Sequence, residues 1–331
     1  MLEVQCEIWD LSITIIYEDA GLIDYLEQFY SINRRKTDHN GWKIDCCLRT
    51  PEHNKYSLTY CDVYYYIDLN NQTIYLRGKS LLNVKITLRK LVRELFMNFC
   101  EFRNFTMLHS SAIYNKKLLL IFAGEKGAGK TTLALDGILR HDFRLLSNDH
   151  LIILLDKNNL IFTSLPTFVS VKIGSFLHFK SLLPYPIHAE EFEIEKWEAM
   201  PKNKLMKQEY RLYYTLKQLG QPNLPFFQIN LGKITHNIWV IFPRFTSANL
   251  RIEAITKEQE VDSLLGQHER SEWVYNNNYN PQIISYNRRT PEQFILNSQQ
   301  ITRRLASIAK AIYLEHEGNI EPLLNYIYST F

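Results

Sequence analysis

The stretch FAGEKGAGKTTLALDGILR, residues 122–140, constrains this chain more than any other. Three of the whole chain's 12 glycines, Gly124, Gly127 and Gly129, fall within a span of six residues. Gly124, Gly129, Lys130 and Thr131 satisfy the pattern GxxxxGK[ST] at every constrained position. Each position has a physical reason: glycines let successive backbone N–H groups turn toward one anion, the lysine reaches terminal phosphates, and the threonine hydroxyl ligates magnesium. The run KLLLIFA supplies the strand that must enter such a loop, and TTLALDGILR the helix that must leave it. The N-terminal end of that helix adds its own partial positive charge to the site. The expectation is a nucleotide, ATP or GTP, held by Gly124, Glu125, Lys126, Gly127, Ala128, Gly129, Lys130, Thr131 and Thr132, with Mg2+ on Thr131.

A phosphate loop serves kinases, ATPases and switches alike, so its neighbours decide the chemistry. In LLSNDH, residues 145–150, Asp149 ends the next expected strand, where a carboxylate meets the metal directly or through water. One helix and a short return separate Lys130 from Asp149, a distance that a βαβ unit closes at one sheet edge. Without the loop, Asp149 would read as an ordinary turn residue. His109 opens the strand before that of the loop, and it reaches the same edge only if the intervening turn cooperates. Arg244, in VIFPRF, reads either as a further cation on the transferred phosphate or as a surface arginine at a strand end. Lys172 with Gly174 and Ser175 is assigned to the acceptor side.

Composition narrows the classes. With 46% hydrophobic and 22% charged residues the 331-residue chain is globular, and its apolar runs are too short to cross a bilayer. The opening MLEVQCEIWD has no basic head followed by an apolar stretch, so a cytoplasmic location is expected. A net charge of +3 without a block of like charges argues against nucleic acid as a partner. Cys6, Cys46, Cys47, Cys61 and Cys100 form an odd set without paired spacing, as reduced core thiols do.

Along the chain, residues 1–105 alternate short strand-like runs with turn signals and one helix, LLNVKITLRKLVRELFMNFC, which predicts a small α+β lobe suited to substrate recognition. Residues 106–331 alternate strands and helices as an α/β domain. A charged insertion interrupts it near 184–225, where Lys204–Leu219 has helical spacing; it reads as a solvated helix or as a partner-docking arm. SQQITRRLASIAKAIYLEHEG is expected to be one amphipathic helix with a left-handed cap at Gly318.

The series LHSSA from Leu108, then a strand, AGEKGAGKTTLAL, and FRLLSNDHLIIL resembles the HPr kinase/phosphorylase group and its wider set of HPr kinase-like proteins. The similarity covers about residues 105–175, with an echo in IWVIFPRF. In outline the chain looks most like HPr kinase-related proteins of peptide-modification clusters, including lasso-peptide precursor kinases. The resemblance implies a nucleotide-binding domain akin to phosphoenolpyruvate carboxykinase and transfer of a γ-phosphate to a serine or threonine hydroxyl of a peptide or small protein, with a precursor peptide of a ribosomally made natural product as the expected acceptor. It also suggests a homo-oligomer. Family members have two aspartates, one taken as the base and one as a magnesium contact. Here the pair is Asn148-Asp149, and an amide accepts no proton. Three alternatives stand: Asp149 serves both purposes, His109 assists, or early proton removal is not required because the transition state is loose. The acceptor alternatives are an HPr-type carrier protein or a small molecule, and Asn148 also admits a catalytically degenerate module that binds nucleotide and presents a peptide.

Overall fold

The computed structural model describes residues 1–34, 41–51, 54–59, 61–187, 194–205, 208–233, 236–246, 250–270, 283 and 289–330. The chain divides into two compact units, Met1–Phe102 with Asn277–Arg288, and Arg103–Asn276 with Arg289–Phe331. Both are mixed α/β.

In the first unit, β1 (Leu2–Ile8), β2 (Leu11–Tyr17), α1 (Ala20–Leu26), β3 (Ser31–Asn33), β4 (Trp42–Cys47), β5 (Ser57–Leu58), β6 (Tyr64–Asp68), β7 (Thr73–Arg77) and α2 (Leu81–Phe102) follow one another. The strands form one sheet in the order β3-β1-β2-β4-β7-β6-β5. The run EVQCEIWDLSITIIY becomes the antiparallel β1–β2 hairpin, turned at Trp9, whose φ is 55°. The β6–β7 hairpin turns at Asn70-Asn71, where the Asp68 carboxylate accepts a 2.8 Å bond from the Asn71 side chain. Val84, Leu88, Leu91 and Leu95 form the buried stripe of α2, at the spacing of one helical face. The cysteines are free and four of the five are buried. Burial pushes the thiols of Cys6 and Cys46 up, which keeps them inert.

The second unit runs β8 (Thr106–Tyr114), β9 (Leu118–Ala123), α3 (Lys130–Arg140), β10 (Arg144–Ser147), β11 (His150–Asp156), β12 (Asn159–Ser164), β13 (Val169–Lys172), α4 (Ile173–His178), α5 (Ile194–Glu198), α6 (Lys202–Leu205), β14 (Arg211–Tyr214), β15 (Phe226–Asn230), β16 (Asn237–Phe245), β17 (Arg251–Ile255) and α7 (Glu258–Gln267). The helix Pro291–Ala306, β18 (Lys310–His316) and the helix Glu321–Ser329 complete it. The main sheet has the order β15-β12-β11-β8-β9-β16-β18-β17, with β10 paired to β8. At its centre β9, β16 and β18 are parallel, and the other pairs are antiparallel.

A continuous apolar run marks a strand covered on both faces. Leu118, Leu120 and Phe122 of β9 enter one core with Leu133 of α3 and Leu323 of the last helix. Leu119, Ile121 and Ala123 enter the other, with Leu265 of α7 and Ile301 and Leu305 of the helix Pro291–Ala306. The sheet is therefore a middle layer, and its strand ends set the loops.

Two expectations are corrected. Helical spacing over Lys204–Leu219 does not yield a helix: α6 ends at Leu205, residues 206 and 207 lie outside the described residues, and Arg211–Tyr214 is a strand. Its Leu212 and Tyr214 pair with Val171 and Val169 of β13 and are buried, so period-two packing overrides a weak period of 3.6. The second correction is SQQITRRLASIAKAIYLEHEG, which is a helix only to Ala306 and a strand from Lys310. Pairing with β16 on one side and β17 on the other decides it, and Ile312, Leu314 and His316 point into the core. Gly318 is left-handed, φ 103°, but it follows that strand.

Candidate active site

In open α/β sheets the crevice lies beyond the carboxyl ends of the parallel strands. Here β9, β16 and β18 end at Ala123, Phe245 and His316, and the glycine-rich loop leaves β9 between them. Gly127 and Gly129 both have φ 90°, a backbone state that L side chains avoid. A Cβ on Gly127 would meet open space, whereas one on Gly129 would strike the His316 ring. Gly129 is thus required twice, for its dihedral and for the close approach of the ring. It caps α3, and no side chain bonds the first N–H groups of the 11-residue helix at this cap.

His316 holds the loop from beneath. The Gly318 N–H donates to its Nδ1 at 3.0 Å, which leaves the proton on Nε2 for the Ala128 carbonyl at 2.9 Å. The ring is buried and its pKa is lowered, mainly by burial, so the neutral tautomer persists. His316 lies in the segment whose spacing predicts a helix and carries no expected role; Ile312, Leu314 and His316, at every second position, are the signal of a strand.

Lys130 begins α3 and folds back over the loop, donating to the carbonyls of Gly124 at 2.6 Å and Glu125 at 3.0 Å. It is buried, and burial pushes its pKa down to about 8 against the opposing pull of Asp149 and Glu125. Such an ammonium is poised to gain from an anion. Thr132 is buried and shares a 2.7 Å hydrogen bond with Ser175, pinning the start of α3 to α4.

Strand register brings the remaining groups to the loop. Ser110 pairs with Ala123, the last residue of β9, so His109 falls one step beyond it, level with the loop. His109 also pairs with His150, the first residue of β11, which brings Asp149 alongside. The His109 Nδ1 and Asp149 Oδ1 are 3.0 Å apart. Burial tends to raise the Asp149 pKa, but the His109 hydrogen bond and the charges of His150 and Lys130 hold it below the usual carboxylate range. With Nδ1–H directed at the carboxylate, His109 offers Nε2 as a proton acceptor.

These groups line one cleft of about 210 Å3, which contains His109, Asp149, Lys126, Gly127, Gly129, Lys130, Thr131 and Thr132. No family model and no curated protein matches the chain. The remaining lining comes from Ser170, Lys172, Gly174, Ser175, Arg211 and Phe245. Asn148 does not line the cleft; its carbonyl accepts from Ser111 at 2.5 Å, and its side-chain oxygen is buried without a partner. Arg244 does not line it either. On β16 its neighbours Pro243 and Phe245 turn toward the loop, while Arg244 is 80% exposed and pairs with Glu315 at 3.6 Å. Arg211, in the stretch whose spacing predicts a helix, either solvated or docking a partner, is in the cleft instead.

The lining fits a magnesium nucleotide. The loop offers turned N–H groups and an ammonium, and the Thr131 hydroxyl and Asp149 carboxylate are the hard oxygen donors that magnesium prefers alongside water and phosphate. No group of three or more His, Cys, Asp or Glu residues able to hold a metal without such help occurs among the described residues. Among the described residues no helix is long and apolar enough to cross a membrane.

Proposed function

We propose that this chain is a P-loop phosphotransferase of the HPr kinase-like type, which moves the γ-phosphate of ATP to a serine or threonine hydroxyl of a peptide or small protein. The observation that carries the reading is the meeting of the glycine-rich loop and the His109–Asp149 pair in a single cleft. A carboxylate and an imidazole beside a phosphate loop are the parts that phosphoryl transfer needs and that a passive anion site does not.

Magnesium-ATP, when bound, supplies the electrophilic phosphoryl group. Lys130 exchanges its two carbonyl partners for phosphate oxygens, and the N–H groups at Gly127 and Gly129 carry part of the charge. Thr131 and Asp149 are the metal contacts. His109, oriented by Asp149, takes the acceptor's proton at Nε2, the role that the amide of Asn148 cannot fill. That the carboxylate and not the amide lines the cleft favours chemistry over a degenerate binding module.

The test is transfer of label from the γ-phosphate of ATP to hydroxyl-bearing peptides, with Lys130→Ala as control. Label that depends on Lys130 supports the reading, and equal labelling by both proteins overturns it.

A further inference from the structure

Across the cleft from the loop, cationic side chains gather in a pattern that nucleotide binding does not use up. The alternation of β13 places Ser170 and Lys172 on its cleft side and buries Val169 and Val171. Arg211, the first residue of β14, is the register partner of Lys172 and adds a second cation to the same face. Its guanidinium is steadied by a 2.9 Å bond to the Ser170 hydroxyl. Lys126 reaches toward them from the loop.

Between these groups lies one carboxylate. Glu209 Oε1 is 2.8 Å from Lys172 Nζ, and Oε2 is 3.0 Å from Lys126 Nζ and 3.7 Å from Arg211. Hydrogen bonds from Lys172 and Lys126 hold its pKa down to about 2. The two oxygens have different partners, Lys172 on Oε1 and Lys126 with Arg211 on Oε2, drawn from the loop and from the β13–β14 pair. Three cations around one carboxylate leave a surplus of positive charge. The Glu209 side chain is 55% exposed, so it can leave the site without uncovering a core.

Building on the kinase reading, we propose that Lys126, Lys172 and Arg211 form a binding site for an oxyanion of the acceptor, a carboxylate or phosphate carried close to its hydroxyl. Glu209 is the protein's own occupant of that site, displaced when the acceptor enters. The acceptor class narrows accordingly to acidic peptides. Glu209 also ties the glycine-rich loop to β14 until then, so exchange of one carboxylate for another conserves charge while admitting the hydroxyl.

The test uses the whole chain saturated with magnesium and the β,γ-imido analogue of ATP, titrated in separate arms with inorganic phosphate and with acetate. Binding of the analogue alone tests the kinase reading; if it does not bind, that reading falls and takes the acceptor site with it. Given analogue binding, Glu209→Gln should tighten phosphate or acetate by about tenfold, because it removes a charged competitor held by two ammonium groups. Lys172→Ala or Arg211→Ala in the Glu209→Gln background should reverse the gain. Preference for phosphate identifies a phosphorylated acceptor, and comparable binding of acetate a carboxylate. An unchanged affinity in Glu209→Gln, or displacement of the analogue by phosphate, would overturn the site.

Discussion

One side of the cleft, Lys126 to Thr132, is contiguous in the chain, whereas the other gathers Ser170, Lys172 and Arg211 from two strands, with Ser170 and Arg211 lying 41 positions apart. The first side gets its shape from local backbone geometry, two glycines at φ 90° and the start of α3. The second has its shape only because β13 and β14 pair. A motif thus records a site where the chain itself makes the turn, and records nothing where tertiary pairing brings side chains together.

The largest effect expected concerns the group between the two sides. Asp149→Asn keeps an oxygen for the His109 Nδ1–H but removes the charge. Phosphoryl transfer should fall by roughly 10²- to 10⁴-fold, measured as single-turnover rate, with thermal stability little changed. A transfer rate close to that of the wild type would take Asp149 out of the chemistry.

Next comes the contiguous side. Gly129→Ala forces a Cβ onto the His316 ring at a left-handed dihedral, which should cost about 1–3 kcal/mol in denaturant unfolding and weaken nucleotide binding. An alanine there with unchanged stability would mean that the loop adopts another path. The paired side has no comparable position, since its side chains hang from regular strands.

Smaller is a pH effect with a definite sign. Lys130 carries a pKa lowered by burial to about 8, and phosphate favours its charged form. Affinity for magnesium-ATP should therefore weaken as pH rises through about 8, by up to roughly tenfold per unit. The stability of the nucleotide-free protein should move the opposite way, because a buried ammonium penalises the fold most at low pH and this penalty is relieved between about 8 and the ordinary lysine value of 10.5. Parallel calorimetric series across that window would check both signs.

Smallest is Arg244→Ala. Its partner Glu315 lies outside the cleft and the side chain is mostly solvated, so stability should change by no more than about 0.5 kcal/mol and nucleotide affinity not at all. A clear loss of nucleotide affinity would bring this arginine back into the site.

Legibility in the sequence follows the same division. The strand, loop and helix from Leu118 to Arg140 could be read directly, because glycine spacing and an unbroken apolar run are local signals. Asp149 and His109 were readable as candidates, but their 3.0 Å approach depends on how β8 pairs with both β9 and β11. Arg211 and His316 were hidden within segments with helical spacing that sheet pairing converted into strands. Arg244 shows the converse: a strand end known from the sequence does not reveal which face of the strand a residue takes.

The most direct test of the central claim is equilibrium binding of magnesium-ATP to the wild-type chain and to Lys130→Ala by calorimetry at pH 7. Saturable binding at one site by the wild type, weakened by about 100-fold or more in the variant, is the expected result for a charge-assisted phosphate contact. Absence of binding by the folded wild type, or equal affinity of the two proteins, would contradict it.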